Sequence, residues 1–338
     1  MIRLALDAMG GDFGPEVTVP AATAALKRYP ELSLTLVGDR DAVLRVLGNA
    51  VPDEARCTVQ HAPQKVEMDE RPSSALRNKR ESSMRVALDL VRAGAADACV
   101  SAGNTGALMA MARYVLKTLP GIDRPAICAT MPGIKGTTHM LDLGANVDSS
   151  SEELFRFAVM GSVLCESVDN RPNPRVALLN IGEEEIKGND RVKQTAVLLE
   201  QSSLNYQGFV EGNDIFSGTV DVIVCDGFVG NVALKASEGV ASMLMNMARE
   251  EFTRNGMAKL SGLFARPALQ RLRDRADPRR YNGASLLGLR GIVVKSHGGA
   301  DIMSFGRAID EAVLEVRKSV PERISSMLEQ LLVNQTDT

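Results

Sequence analysis

The 338-residue sequence predicts one α/β fold built on a doubly wound, mostly parallel sheet, and three observations carry that reading. Apolar runs of strand length alternate with amphipathic runs of helix length along the whole chain. Glycine, asparagine and aspartate gather just after the strand-like runs, where an open α/β sheet turns into its helices. No internal repeat and no low-complexity tract interrupts the pattern.

The chain starts directly on a strand pattern, Ile2-Arg-Leu-Ala-Leu-Asp7. Further strands are expected at 32–37, 56–61, 97–101, 126–131, 138–143, 175–181, 221–226 and 290–295. Helices are expected at 15–28, 40–48, 72–93, 104–118, 151–167, 189–202, 228–255, 302–318 and 321–333. Pro15 and Pro72 fall on first helical turns, where the missing N–H costs nothing. Strands that alternate with helices pair in parallel and are covered on both faces. One stretch departs from the pattern. Residues 249–280 carry nine arginines and lysines against four acidic residues, with Met257, Leu260, Leu263 and Phe264 among the apolar residues between them. They belong to a helical hairpin expected at 245–282, inserted in a single domain spanning 1–338.

Bulk properties narrow the function. Hydrophobic residues make up 45% and charged residues 24%, so a globular core is available. A net charge of −3 gives no whole-protein footprint for nucleic acid, and any anion site must be local. The five cysteines include no C-x-x-C pair; Cys99 and Cys225 sit inside apolar strand runs. They read as buried, reduced thiols of a cytoplasmic protein. The N-terminus shows no signal-peptide pattern, and no apolar stretch reaches the roughly 18 residues of a membrane span. The three histidines are dispersed and the acidic residues form no cage, so no metal is expected. His61 and His139 lie in or beside strands and read as structural.

Five loops can carry chemistry. Asp7-Ala-Met-Gly10-Gly11-Asp12-Phe13-Gly14-Pro15 lets the backbone approach a ligand and turn N–H groups towards an anion at a helix start. Its spacing is not that of the dinucleotide fingerprint. Ser101-Ala-Gly-Asn104-Thr105-Gly offers hydroxyl and amide groups, either to phosphate oxygens or as helix caps. Leu179–Asn189 places Lys187 between a turn and a helix start, a fitting place for a phosphate-holding cation. Asp221–Asn231 ends with Asn231 at a helix start, as an oxyanion donor or as an N-cap. Asn282–Gly299 contains Lys295 and His297 beside a glycine pair. Because open α/β sheets bind ligands beyond the carboxyl ends of their strands, these loops are expected to converge on one crevice.

Taken together, Asp7–Asp12, Lys79 with Ser82-Ser83, Ser101–Ala110, Leu141–Asp148, Leu179–Asn189, Val210–Ile215, Asp221–Gly239 and Gly283–Gly299 resemble, in order and spacing, the bacterial phosphate acyltransferase family of phospholipid synthesis. The resemblance runs nearly end to end. It departs at Phe13, where family members often have histidine, so that position is not essential. The resemblance implies a two-lobed fold similar to isopropylmalate dehydrogenase and phosphotransacetylase, a homodimer, and no metal, cofactor or covalent enzyme intermediate. It implies transfer of a long-chain acyl group from acyl carrier protein to inorganic phosphate. Lys187, Asn231 and His297 are then placed at the reacting centre, with Asp7, Gly10, Gly11, Ser101, Asn104, Thr105, Asn146 and Lys295 binding substrate.

The residue types suit that reaction. Phosphate is largely a dianion at neutral pH, with a second pKa of about 6, and needs little general-base help. A thiol of pKa about 8.5 leaves without a strong acid. In-line positioning and oxyanion stabilisation remain to be supplied. Coenzyme A could take the carrier's place, as in a phosphotransacetylase. A metal- and nicotinamide-dependent β-decarboxylating dehydrogenase would need a carboxylate cluster, and a non-catalytic membrane scaffold would not need so many anion-suited loops. The basic hairpin, with Met257, Leu260, Leu263 and Phe264 as its apolar contact, is expected to lie on an anionic membrane or to meet the acidic carrier protein.

Overall fold

The computed structural model describes residues 1–48 and 54–336, apart from the side chains of 54, 268, 272–276, 278 and 332–336. Its strands are β1 (Ile2–Asp7), β2 (Leu32–Gly38), β3 (Cys57–His61), β4 (Ala98–Ser101), β5 (Ala126–Gly133), β6 (Gly136–Leu141), β7 (Arg175–Leu179), β8 (Asn205–Val210), β9 (Val222–Val224), β10 (Ala284–Leu287) and β11 (Ile292–Lys295). Its helices are α1 (Pro15–Arg28), α2 (Arg40–Leu47), α3 (Pro72–Asn78), α4 (Ser83–Arg92), α5 (Thr105–Leu116), α6 (Ser151–Val168), α7 (Asp190–Glu200), α8 (Gly227–Thr253), α9 (Gly256–Ala276), α10 (Ile302–Lys318) and α11 (Val320–Thr336).

The strands form one sheet in the order β3-β2-β1-β4-β11-β10-β5-β6-β9-β7-β8. Most neighbours are parallel, as the alternation predicts, but β10 is antiparallel to both β11 and β5, and β6 is antiparallel to β5. Strand direction is therefore the same in β1, β4, β11 and β5, and reversed in β6, β9 and β7. This divides the sheet into two halves, the two expected lobes, whose strands end at opposite edges.

Strand alternation places the core on both faces. Ala5 and Cys99 join a cluster under α4 and α5 that continues to Met140, Ala177 and Ile223, across both halves. Leu4, Leu6 and Val294 pack on the other face with α1 and α10. Val222, Val224 and Leu141 pack there under α6 and α11. Gly161 is the point of closest approach of α6, because a Cβ there would stand 2.7 Å from Val222 Cγ1. All five cysteines are free thiols and four are buried, as expected from their apolar surroundings.

The expected helix at 72–93 is two helices, α3 and α4. The chain leaves helical geometry at Lys79, and the Ser82 hydroxyl accepts from the Arg85 N–H to begin α4. Two strands escaped the sequence pattern. In β8 the polar run Asn-Tyr-Gln is followed by Gly208 at a φ of 87°. In β10 only four residues pair. Helix α8 packs on α9, a helix that the sequence periodicity did not delimit.

Phe157 of α6 is 1% exposed in the cluster beneath the second half. Phe157→Ala is expected to cost about 3–5 kcal/mol through lost burial and a residual cavity. A lower thermal midpoint checks this; an unchanged one would mean that the helix repacks around the loss.

Candidate active site

At the ends of β1, β4 and β11, the residues Asp7, Ser101 and Lys295 are register partners in one row across three parallel strands. All three are buried. Asp7 Oδ2 accepts a 2.6 Å hydrogen bond from the Ser101 hydroxyl, and the carboxylate also accepts from Ser83 and from the N–H groups of Met9 and Gly10. Its Oδ1 is buried with no protein partner among the described residues. Burial raises the Asp7 pKa against those hydrogen bonds. The Lys295 ammonium donates to the carbonyls of Ala102 and Ser296. Burial pushes its pKa down to about 8, with Lys235 adding to the fall while Asp7 and Asp12 oppose it.

The turns around this row have no spare room. At Gly10 a Cβ would stand 2.7 Å from Asp7 Oδ2 and 2.8 Å from the Gly103 nitrogen. Gly11 has a φ of +83°, and a Cβ there would lie 2.8 Å from the Gly298 carbonyl oxygen. Both positions need glycine for close approach, and Gly11 for its left-handed backbone too. The Asp12 N–H donates to that Gly298 carbonyl, joining the first loop to the last.

His297 is exposed, its N–H donates to Asn282 Oδ1, and its Nδ1 accepts from the Gly299 N–H. With Nδ1 occupied as an acceptor, the neutral ring carries its proton on Nε2. Asn282 also donates to the Ser296 hydroxyl at 2.8 Å. It thus holds the turn on which Lys295 and His297 sit, a supporting role with no sequence signal. Asn104 is a helix cap: its Oδ1 accepts from the Ala107 N–H, and its Nδ2 donates to the carbonyls of Met68 and Glu70. Thr105 opens α5 directly behind that cap.

Asn146, Lys187 and Asn231 lie in a second cluster, at the ends of β6, β7 and β9. Asp142 organises it, accepting from the N–H groups of Ile127, Ala145 and Asn146 and from the Asn146 amide. Asn146 is itself buried, also donating to the Pro125 carbonyl, and its carbonyl accepts from the Gly227 N–H. Its amide is spent on scaffolding. The N-cap of α8 is Asp226, which accepts from the Val229 N–H. Asn231 is therefore not the cap; it is exposed and packs over Gly144. Lys187 is exposed and pairs with Glu184 at 2.8 Å, which raises its pKa. Asn180 holds the loop through the carbonyls of Gly182 and Lys187, Asn189 caps α7, and Arg191 pairs with Asp148.

The expected site residues thus fall in two loop clusters, carried by strands that run in opposite directions. α8 spans the gap. Its first turn belongs to the second cluster, and Lys235, two turns on, lies near enough to Lys295 to depress its pKa.

Away from both clusters, His139 is buried with Nε2 3.0 Å from Asp169, as its strand position suggested. His139, Cys165 and Asp169 bring possible ligand atoms within 4.8 Å of one another. Asp169 is also 3.8 Å from Arg171, a cation that competes for the same carboxylate. Burial pushes the Cys165 thiol up to about 12, so it is not a ready thiolate. His61 accepts from the Arg40 N–H at the start of α2.

Fold and site together define an α/β protein of the phosphotransacetylase architecture, with glycine-rich loops closing on a buried aspartate and a buried lysine at neighbouring strand ends. The phosphotransacetylase of Streptococcus pyogenes superposes with a TM-score of 0.62 at 17% identity, over 94% of each chain. The EutD phosphotransacetylase of Staphylococcus aureus does so with a TM-score of 0.60, also at 17% identity, over 93% of this chain and 94% of its own. At that identity the likeness is one of fold. Residues 2–323 match the model of the family described as fatty acid synthesis protein, and the chain belongs to that family. It is 62% identical to the phosphate acyltransferase of Alkalilimnicola ehrlichii over 98% of this chain and 97% of that one. It is 59% identical to that of Nitrosococcus oceani over 98% of both.

Gly230 provides a test of the second cluster, since a Cβ there would stand 1.9 Å from the Asp142 carbonyl oxygen. Gly230→Ala is expected to displace the first turn of α8 and to lower the thermal midpoint by several degrees, a backbone clash that no rotamer relieves. In the first cluster, Asp7→Asn removes an opposite charge from Lys295, so the lysine pKa should fall further below 8. Chemical-shift titration of isotopically methylated lysines reads this directly; an upward shift would contradict the pairing.

Proposed function

We infer that this protein transfers a long-chain fatty acyl group from acyl carrier protein to inorganic phosphate, giving acyl-phosphate for phospholipid synthesis. The observation that carries the reading is near end-to-end likeness to curated phosphate acyltransferases, at 62% and 59% identity. The buried row of Asp7, Ser101 and Lys295, closely approached by the glycine turns at Gly10 and Gly103, supports phosphate binding there. Asp7, Gly10, Gly11, Ser101, Thr105 and Lys295 take part in holding phosphate. Asn104 and Asn146 contribute by fixing the backbone of their loops, since their amides are engaged within the protein. Asn231 donates to the thioester oxygen as it becomes negative, His297 Nε2–H meets the leaving sulfur, and Lys187 attracts the anionic partners of the reaction. None of these roles needs a covalent intermediate or a cofactor.

In this reading both loop clusters act on one thioester carbon, Asn231 at its oxygen and His297 at its sulfur, so they meet at a shared centre beside α8. Beyond its first turns this helix exposes Val240, Met243, Leu244 and Met247, an apolar run that suits burial in a homodimer. At the far end Met257, Leu260, Leu263 and Phe264 are 75%, 50%, 60% and 78% exposed. Arg254, Lys259, Arg266 and Arg271 are interspersed with them in sequence. No helix among the described residues is long and apolar enough to cross a membrane. The hairpin instead rests on an anionic bilayer, where lipid-like acyl-phosphate would be handed on.

Thiol release from a palmitoyl–carrier thioester should depend on phosphate, and Lys187→Ala should lower it at least about a hundredfold, the scale of one lost electrostatic contact. Equal release without phosphate would sink the reading. Greater turnover of acetyl-coenzyme A than of the carrier thioester would favour the phosphotransacetylase alternative. In liposome flotation, the Leu260/Leu263/Phe264→Glu triple variant should stay at the bottom while the unsubstituted protein floats; identical behaviour removes the membrane role.

A further inference from the structure

We propose that the basic face of α4 and α5, centred on Tyr114, is the surface on which the acidic acyl carrier protein docks. The assignment rests on the acyl-transfer reading above and adds the place where the carrier sits. Helices α4 and α5 pack on each other, and Asp89 is their only acidic residue. Against it stand Arg85, Arg92 and Arg113, with Lys117 as the C-cap of α5. Tyr114 is 54% exposed and gathers these groups. The Arg85 guanidinium lies 5.3 Å from its ring centre and the Lys117 ammonium 4.9 Å. Arg290 joins from the segment between β10 and β11, its N–H donating to the Lys117 carbonyl and its guanidinium to the Thr118 carbonyl.

The pairing of charges separates this face from ordinary solvated surface. Asp89 is already paired, with Arg85 at 3.0 Å and Arg92 at 3.1 Å. Arg113, Lys117 and Arg290 are exposed and form no ion pair among the described residues. Elsewhere on the surface Arg28, Arg156 and Arg317 each reach a carboxylate, of Asp310, Asp123 and Glu31. In a chain of net charge −3, a local surplus of cations around an exposed tyrosine suits an acidic partner, with the ring as the contact that becomes buried.

The face also adjoins the Asn231 cluster. Residues 117–125 run from Lys117 to Pro125, whose carbonyl accepts from the Asn146 amide. The Asn146 carbonyl accepts in turn from the Gly227 N–H, in the first turn of α8 that leads to Asn231. Within the same stretch, the Leu119 N–H donates to the Gly288 carbonyl, and Ala126 at the start of β5 is the register partner of Leu287. Hydrogen-bonded loops thus join the last turn of α5 to the first turn of α8, along the edge where β6 and β9 end. A carrier seated on Tyr114 would pass its thioester along that edge to Asn231.

Steady-state kinetics with palmitoyl–carrier protein and with palmitoyl-pantetheine, which lacks the protein, test the proposal. Arg113→Glu/Lys117→Glu should raise the KM for the carrier thioester at least about tenfold, while the KM values for palmitoyl-pantetheine and phosphate change by less than about twofold. The milder Arg113→Gln/Lys117→Gln pair should give an intermediate rise. Added salt should raise the carrier KM of the unsubstituted protein and leave that of the Glu variant nearly constant, because exposed charges are screened. Fluorescence anisotropy of labelled palmitoyl–carrier protein reads docking without turnover, and the Glu variant should lose that binding. An unchanged carrier KM, an equal rise for both thioesters, or sedimentation showing that the face joins two copies of this chain overturns the assignment. Carrier binding that depends on this face, without phosphate-dependent thiol release, would instead refute only the reading on which it rests.

Discussion

The reversal of strand direction between β5 and β6 is the constraint on which the rest of this structure depends. Residues 133–136 turn the chain back on itself inside one continuous sheet. Every later strand of the second half inherits the reversed direction, because β9 and β7 add in parallel to β6. Loops that look equivalent in sequence therefore leave opposite edges. A single wound sheet would have gathered them at one edge; this one needs a connecting element, and α8 is placed to serve.

Within the first half, burial of opposite charges does the corresponding work. Asp7 and Lys295 come from strand ends nearly three hundred residues apart, yet both are register partners of Ser101. Removing either charge from water is costly, and each is tolerable because hydroxyl and N–H groups surround Asp7 and carbonyls surround Lys295. Those groups come from turns that must pass within van der Waals contact, which is why Gly10 and Gly11 admit no side chain. The two glycines thus satisfy a steric need and an electrostatic one together. Among the described residues Asp7 Oδ1 has no partner.

Much of the fold was legible because its signals are local. Apolar runs bounded by glycine, proline or asparagine predicted nine of the eleven strands. The two missed strands lacked that signal: β8 is polar with a left-handed glycine, and β10 is too short to show a period. The break between α3 and α4 was hidden because Ser82 can be read as a helical residue or as a cap, and only its bond to the Arg85 N–H decides. The site was less legible for the same reason. Asn104, Asn146 and Asn231 each stand where an asparagine can cap, scaffold or bind; tertiary contacts make the first a cap and the second a scaffold, and leave the third exposed.

Composition, periodicity and the order of its motifs determined, from the sequence alone, an α/β chain of this family with glycine-rich turns at its strand ends. Those properties depend on residues close together along the chain or on likeness to relatives. The tertiary structure alone decided which turns face one another and which polar side chains are already used. Those outcomes follow from strand direction and long-range pairing, which bring together groups from distant parts of the chain and which no local pattern encodes.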